Sequence, residues 1–179
     1  EEMSEIKEQN QKINSELAEY EKREKNKTAI PDPNFESVLI DMQWDDVVDG
    51  HVKTSIINKI NKLEISFKNI SDLSGIEGFT ALEKLDCSGN KLSDLDLSNN
   101  AVLQKLNCSD NSLKSLNVSG AIALVGIYCN NNQLTNIDVS NNSKLENLHC
   151  KNNKLRKLYV DGAISLAYLD CSESELYIL

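Results

Sequence analysis

The sequence predicts an α/β solenoid, in which short repeats stack and each repeat contributes one strand to a parallel sheet. The first observation is a cysteine every 21 residues, and the second is an asparagine three residues after each of the first four cysteines. The third is the alternation of apolar and polar residues around each cysteine, as in LDCSGNKL at 85–92. A fixed period of this length is the signature of a repeat architecture.

The alternation assigns a direction to each side chain. Leu85 and Cys87 point into the core and Asp86 points out, because alternate strand residues share a face. The asparagine follows at a turn, where its amide can satisfy buried backbone groups. Stacking in register therefore predicts a structural ladder of cysteines and asparagines, whose members are Cys87, Cys108, Cys129, Cys150, Cys171, Asn90, Asn111, Asn132 and Asn153.

The second half of each repeat shows a longer period. The four segments read LDLSNNAVL, LNVSGAIAL, IDVSNNSKL and LYVDGAISL. Their corners alternate between Asn-Asn, at 99–100 and 141–142, and Gly-Ala, at 120–121 and 162–163. This 42-residue period indicates the duplication of a unit of two repeats.

The pattern L-x-x-L-x-C-x-x-N-x-L resembles the signature of the leucine-rich-repeat family, and variants such as LDCSGN and LDLSNN resemble a bacterial surface subgroup. Residues 63–82 resemble the repeat of the internalins, with Lys68 in place of the asparagine and one additional residue, so we expect an irregular first turn. The resemblance implies an α/β leucine-rich-repeat solenoid with a parallel β-sheet on the concave face and an irregular or short-strand convex side. It also implies a helical N-terminal cap and an extracellular or bacterial cell-surface location.

The pattern divides the chain into residues 1–29, a charged amphipathic helix, residues 30–62, the cap, and residues 63–179, the solenoid. The cap is expected because the open end of a solenoid exposes apolar residues. No corresponding cap follows the last repeat, in which Ser174 takes the asparagine position. The apolar residues assigned to the cap are Phe35, Val38, Leu39, Met42, Trp44, Val47, Val48, Val52, Ile56, Ile57 and Ile60.

The N-terminal helix has a heptad seam, since its apolar residues alternate spacings of three and four with Asn10 in the series. The seam residues are Met3, Ile6, Asn10, Ile13, Leu17 and Tyr20. Two interpretations are open. Residues 3–20 form a homo-oligomer in which Asn10 fixes the register, or the helix is a monomeric stalk or a strap that folds back on its own domain.

Composition and motifs argue against several functions. The formal net charge of −9 disfavours nucleic-acid binding and docking on anionic membranes, and we find no apolar run of membrane-spanning length. The sequence has no phosphate-binding loop, nucleophile elbow or zinc-binding histidine pair. We therefore expect a non-enzymatic protein with no catalytic residues and no cofactor.

We also expect no metal site. The cysteines point inward with no second ligand recurring beside them, so they are interpreted as small apolar residues. His149 and Cys150 are adjacent strand residues that face opposite ways, which excludes a catalytic dyad. Residues 45–52 resemble a calcium loop, but Val47 and Ile56 occupy two ligand positions, which favours a simple turn at Gly50.

The outward strand positions predict a ligand-binding surface. The N-terminal repeats carry small, polar and charged residues there, whereas the later repeats combine aromatic and hydrogen-bonding side chains. The candidate residues are Tyr128, His149, Tyr168, Asn130, Asn147, Lys151 and Asp170. Such a combination suits contact with an extracellular protein or glycan, although exposed strands also favour these residues for packing alone. The alternative hypotheses are self-association, through the heptad helix and the uncapped C-terminal edge, and a regulatory domain of a larger protein.

Overall fold

The computed structural model describes residues 2–177, and the side chains of 6–20 and 25–177. Before the repeats come α1, β1, α2, β2 and α3, which span Glu2–Glu24, Lys27–Ala29, Pro33–Asp41, His51–Lys53 and Thr54–Ile57. A short 3-10 helix covers Ile76–Gly78. The strands of the repeats are β3 Lys62–Glu64, β4 Lys84–Asp86, β5 Asp94–Asp96, β6 Lys105–Asn107, β7 Ser115–Asn117, β8 Gly126–Tyr128, β9 Asn136–Asp138, β10 Asn147–His149, β11 Lys157–Tyr159 and β12 Tyr168–Asp170.

Six strands form the parallel sheet that the sequence predicted, in the order β12-β10-β8-β6-β4-β3. Their central residues pair in one continuous line of Leu63, Leu85, Leu106, Ile127, Leu148 and Leu169. All of these except Leu169, which is 40% exposed, are buried. The parallel-sheet solenoid is confirmed, with its core behind this line.

The opposite side of the solenoid carries two sheets of only two strands each. β5 pairs with β7, and β9 pairs with β11, both in parallel. Each pair again places an apolar central residue next to its counterpart one repeat on, as Leu95 lies beside Leu116. The short-strand side predicted from the sequence is therefore present.

The asparagine column links each repeat to the one before it. Asn132 Nδ2 donates to the carbonyl of Cys129 in its own repeat at 3.2 Å and to that of Cys108 in the preceding repeat at 3.0 Å. Its Oδ1 accepts the N–H of Leu113 at 2.9 Å. Asn111 and Asn153 repeat all three bonds. Each amide thus satisfies backbone groups that the turn would otherwise leave unpaired.

The column ends at Ser174, which has no amide to continue it. Its hydroxyl is buried and has no hydrogen-bond partner among the described residues. A serine side chain is too short to reach the two carbonyls that an asparagine bridges in the earlier repeats. The last described repeat therefore lacks the side-chain bonds of the asparagine column, although β12 keeps its backbone pairing with β10.

The alternating corners have a steric explanation. A Cβ atom added to Gly120 would lie 1.8 Å from the carbonyl oxygen of Ser98, so only glycine fits there. At the next corner the Asn142 amide donates to the carbonyls of Val118 and Ala121, at 3.1 and 2.9 Å. Asn100 makes the same two bonds to the carbonyls of Ile76 and Phe79, at 3.0 and 3.3 Å, so it is the close approach of Gly120 to Ser98, and not the asparagine bonds, that makes the corners differ.

Residues 27–57 close the N-terminal end of the solenoid. Strands β1 and β2 pair antiparallel, and the ring of Phe35 in α2 stacks on Phe79 with centroids 6.1 Å apart. Val52 and Ile57 are buried, whereas Val47 and Val48 are 52% and 57% exposed. The expectation that these two valines cover the first repeat is therefore wrong, because they lie on the exposed side of the turn that precedes β2.

Asp32 joins this segment to the first repeat. Its Oδ1 caps α2 by accepting the N–H groups of Asn34 and Phe35, at 2.8 and 3.1 Å. Its Oδ2 accepts the N–H and O–H of Ser71, both at 2.7 Å, and the N–H of Asp72 at 3.1 Å. Burial raises the pKa of Asp32, but these hydrogen bonds outweigh it and leave the pKa below its ordinary value.

The first turn is irregular. The positive φ of Phe67, 55°, is a regular feature, since Gly89, Asp110 and Asn131 share it, whereas that of Asn69, 59°, has no counterpart in the later repeats. Asn90 of the next repeat stabilises this turn, because its Oδ1 accepts the N–H groups of Lys68 and Ile70 at 3.0 and 3.1 Å. Asn90 Nδ2 also donates to the carbonyl of Ile65 at 2.8 Å, so the next repeat holds the first turn although Lys68 has no amide of its own.

Helix α1 ends at Glu24, and residues 27–29, which belong to the segment predicted as helical, form β1 instead. Every side chain from 6 to 20 is exposed, including Ile6, Ile13, Leu17 and Tyr20 of the seam, at 52 to 61%. The side chain of Met3 lies outside the described ones. No helix in the described part of the chain is long and apolar enough to cross a membrane.

Candidate functional site

Three rings form a stack on the outward face of the six-stranded sheet, the face predicted to be concave. Tyr128 ends β8, His149 ends β10 and Tyr168 begins β12. The centroids of Tyr128 and His149 are 4.6 Å apart with 13° between the ring planes, and those of His149 and Tyr168 are 4.6 Å apart with 30° between the planes. Tyr128 and Tyr168 remain 40% and 48% exposed. The stack is therefore a surface feature.

Gly126 makes room for the stack at its N-terminal end. The Cε2 atom of Tyr128 lies 3.6 Å from the position that a Cβ atom on Gly126 would occupy, so the ring lies over this glycine. Gly126 pairs with Asn147, which in turn pairs with Tyr168. The ring of Tyr128 thus leans toward the column of residues that begins the strands.

The predicted polar residues surround the stack, and most of them have partners. Asp170 Oδ1 accepts the O–H of Ser172 at 2.7 Å and its N–H at 3.0 Å. These bonds, with smaller contributions from the charges of Lys151 and His149, hold the pKa of Asp170 below its ordinary value. Lys151 Nζ lies 3.2 Å from Glu173 Oε1, an exposed ion pair.

Asn130 and Asn147 complete the predicted set. Asn130 Oδ1 accepts the backbone N–H of Lys151 at 2.9 Å, while Asn147 is half-buried between Gly126 and Tyr168 in the sheet. The seven predicted residues therefore lie together on β8, β10, β12 and the turns that follow β8 and β10. The arrangement offers flat aromatic surface, two phenol hydroxyls and amide groups.

A second feature of the same face escaped the sequence prediction. A depression of about 300 Å³ lies over β3, β4 and β6 and ends at Tyr128. The sequence marks this half of the sheet only as small, polar and charged. The register reveals more, because Lys62, Lys84 and Lys105 pair in one column and Glu64, Asp86, Asn107 and Tyr128 pair in another. The signal in the sequence was the recurrence of lysine at the first strand position of three successive repeats.

The cysteines lie behind this face. Cys87, Cys108, Cys129 and Cys150 are fully buried, and Cys171 is half-buried. Burial raises the pKa of Cys150 to about 12, and raises that of the three preceding thiols as well. A thiol is nucleophilic only as thiolate, so the four buried cysteines are unreactive at neutral pH. The buried Cys150 side chain lies on the opposite side of β10 from His149.

The acidic turn at 45–51 is organised by a carboxylate of the protein itself. Glu36 is 1% exposed, and its Oε1 accepts the N–H groups of Asp49, Gly50 and His51 at 2.9, 2.7 and 3.1 Å. The turn therefore needs no cation to hold its shape. Among the described side chains, those of residues 6–20 and 25–177, no three histidine, cysteine or acidic groups converge as metal ligands.

Comparisons with known proteins identify the fold. No protein-family model and no curated protein matches the chain. An internalin (inlF) from Listeria monocytogenes superposes with a TM-score of 0.71 and 25% identity, over 84% of this chain and 46% of that one. A leucine-rich-repeat protein of Leptospira interrogans gives 0.54 and 21%, over 59% and 29%, and a second Listeria internalin gives 0.52 and 18%, over 86% and 91%. The chain therefore spans less than half the length of the first two.

Proposed function

We propose that this chain, a leucine-rich-repeat solenoid with the fold of the bacterial internalins, is a non-enzymatic module that binds an extracellular protein or glycan. The likeness in fold supports a binding role, because stacked repeats offer one extended, rigid surface and this fold commonly serves protein binding. Fold alone does not select the ligand, so the proposal depends on the site.

The aromatic stack of Tyr128, His149 and Tyr168 carries the proposal. Tyrosine supplies contact area at low cost in conformational entropy, and a stacked ring loses even less freedom on binding. The two tyrosine rings are exposed and the imidazole between them is half-buried, and each ring contacts the next with centroids 4.6 Å apart. Neighbouring Asn130, Asn147 and Asp170 provide hydrogen-bonding groups around the aromatic surface, as in the centre and rim of protein interfaces.

The test is a binding screen of the chain against a panel of extracellular proteins and glycans, with the double variant Tyr128→Ala/His149→Ala. We expect a ligand that the wild type captures and the variant does not, while the melting temperature of the variant changes little because both side chains lie at the surface. The matched control is Tyr159→Ala/His51→Ala, which removes the same residue types from the exposed β11 and from β2.

Three outcomes contradict the proposal. One is the absence of any captured ligand, and another is capture that the control variant loses equally. The third is capture lost only because the double variant unfolds. A surface or secreted location, which the proposal includes, is tested separately by detecting the native protein on intact cells and in the culture medium.

Self-association is the second candidate, and the exposed seam of α1 favours it. Ile13 and Leu17 are both 53% exposed, although heptad spacing is typical of residues that pack against another helix. In β12, the last strand of the described sheet, Leu169 is 40% exposed, whereas its counterparts in the other repeats are buried. Both surfaces are apolar and unpartnered in the described chain.

Sedimentation velocity of Ile13→Glu/Leu17→Glu tests the seam, with Asn14→Glu/Ala18→Glu, which lie beside it, as the control. Self-association through α1 requires that the seam variant is monomeric and that the control keeps the mass of the wild type. A monomeric wild-type chain at micromolar concentration excludes this candidate.

A further inference from the structure

The N-terminal half of the outward face separates its charges into two columns. Lys62, Lys84 and Lys105 occupy the first position of successive strands, and Glu64 and Asp86 occupy the third position of the first two. A whole chain with a formal net charge of −9 thus carries three lysines in line on one face. Neighbouring strands lie roughly 4.8 Å apart, so like charges in this column repel one another unless an anion lies between them.

Two of the three lysines form no ion pair with any side chain that the structure describes. Lys62 Nζ lies 2.7 Å from Glu64 Oε1, which neutralises it within its own strand. Among the described residues, Lys84 and Lys105 make no ion pair and no side-chain hydrogen bond, and both are exposed. Asp86 directs one oxygen to the O–H of Ser88 at 2.6 Å, and Asn107 is uncharged. Glu64 pairs with Lys62, and Asp86 keeps its charge on the same strand as Lys84, so the lining of the groove carries one net positive charge, and Lys105 is the lysine with no carboxylate on its own strand.

The column then changes character abruptly. Gly126 follows Lys105 in register, and the ring of Tyr128 lies over it. The depression of about 300 Å³ is open along the lysines and ends at this ring. An anion seated between the two lysines would thus have an exposed aromatic surface beside it in the same column.

The spacing of these two features selects the shape of a ligand. Lys84 lies on β4, Lys105 on β6 and Tyr128 on β8. With roughly 4.8 Å between neighbouring strands, the midpoint of β4 and β6 lies about 7 Å from β8. Residues on one face of an extended polypeptide repeat at roughly 6.8 Å, twice the rise of about 3.4 Å per residue. A carboxylate and a planar side chain two positions later in an extended segment therefore reach the lysines and Tyr128 together.

We propose that this groove binds an extended acidic segment of a protein partner, with one carboxylate between Lys84 and Lys105 and an aromatic side chain two residues on against Tyr128. The inference rests on the proposed function, of which it specifies the partner chemistry. Charge-assisted hydrogen bonds from two ammonium groups hold the carboxylate, and ring stacking holds the aromatic residue. The groove therefore selects a ligand in which the carboxylate and the aromatic side chain are two residues apart, because only that separation lets both contacts form at once.

The probe is the peptide acetyl-Gly-Ser-Glu-Ser-Trp-Ser-Gly-amide, titrated into the full chain labelled with ¹⁵N while amide shifts are followed by NMR. We expect saturable shifts in β4, β6 and β8. We expect binding about tenfold weaker when glutamine replaces the glutamate of the peptide, or when a second serine separates glutamate from tryptophan. Equal affinity for the three peptides overturns the proposal.

Variants of the protein locate the site. Lys84→Glu/Lys105→Glu is expected to lower the affinity for the peptide about tenfold or more. Tyr128→Ala is expected to remove the preference for a two-residue separation of glutamate and tryptophan. Lys144→Glu/Lys154→Glu, which changes the net charge equally at exposed lysines elsewhere, should stay within about twofold of the wild type. A control variant that weakens binding as much as the groove variant shows non-specific attraction and overturns the site.

Failure of this inference is distinguishable from failure of the binding function. If the peptide does not bind, or binds without regard to the lysines, the groove assignment falls. The screen with Tyr128→Ala/His149→Ala still decides the binding function, since it reports on macromolecules that contact the aromatic stack. A captured ligand with no acidic segment would sustain the function and exclude the inferred partner chemistry.

Discussion

The imidazole of His149 stacks on the ring of Tyr168 with centroids 4.6 Å apart, although the sheet register pairs His149 with Asp170 and Tyr168 with Asn147. The two rings therefore meet diagonally, from the end of one strand and the beginning of the next. The side-chain directions, and not the backbone pairing, create this contact. Tyr128 then extends the stack from the other side of His149.

The stack has a direct spectroscopic consequence. In Tyr168→Ala, we expect the ring-proton resonances of His149 to move downfield, because protons over an aromatic face are shielded and this shielding is lost. ¹H NMR of the histidine region measures the shift. Tyr159→Ala, on the other side of the solenoid, should leave the His149 resonances unchanged. Unchanged resonances in Tyr168→Ala would mean that the rings do not stack in solution.

The glycine corners should tolerate no side chain. Gly120→Ala places its Cβ 1.8 Å from the Ser98 carbonyl oxygen, so we expect a loss of stability of about 1–3 kcal/mol or more as the backbone shifts. Gly126→Ala is the matched control, since its Cβ would make an ordinary contact at 3.6 Å and the change should stay within about 0.5 kcal/mol. Urea unfolding compares the two, and equal losses would refute the steric explanation.

The end of the asparagine column can be repaired. Ser174→Asn should stabilise the chain by about 1 kcal/mol, because an asparagine there can donate to the carbonyls of Cys150 and Cys171 as Asn153 does to those of Cys129 and Cys150. Ser174→Ala, which only removes the unpaired hydroxyl, separates this effect from simple loss of a buried polar group. An asparagine variant no more stable than the alanine variant would contradict the prediction.

The thiols should react in two classes. At pH 8, a thiol reagent should modify Cys171 first, because it is half-buried, and modify the other four only as the chain unfolds. Burial keeps those four as thiols, as it raises the pKa of Cys150 to about 12. Mass spectrometry of timed samples in buffer and in urea identifies the order. Rapid modification of Cys108 in buffer would show that the middle repeats open readily.

Leu106 tests the register of the sheet. The side chain is fully buried at the centre of β6, so Leu106→Ala should lower the unfolding free energy by about 2–5 kcal/mol. Lys105→Ala, next to it but outward, should change stability by less than about 0.5 kcal/mol. Chemical denaturation of both variants measures the difference, and a reversed order would require a strand register shifted by one residue.

The repeat period made most of the solenoid predictable. The spacing of Cys87 and the later cysteines determines which residues lie beside each other on neighbouring strands. The alternation within each strand determines which side chains face the core. The alternation of corners was also visible, but its cause was not. That cause is the approach of Gly120 to the carbonyl of Ser98, a contact between backbones that residue identity does not encode directly.

The sequence predicted which residues lie on the outward face, but it did not predict all the contacts between their side chains. Tyr128 and His149 lie in one column, so their proximity follows from the repeat, whereas Tyr168 lies in another and its stacking depends on rotamers. The lysine groove was missed because each repeat contributes one ordinary surface lysine. The 21-residue period already predicts that Lys84 lies beside Lys105, and what the structure adds is the depression that the two lysines line.

The packing of Gly120 beneath Ser98, and of Asn142 over Ala121, restricts how the length of such a chain can change. Removal of one repeat of 21 residues would join like corners, and place an asparagine where only a glycine fits beneath the serine carbonyl. Removal of two repeats, 42 residues, would join unlike corners and preserve every bond between neighbours. Natural length variants are therefore expected to differ by even numbers of repeats, which makes the pair, and not the single repeat, the unit in which this solenoid grows or shrinks.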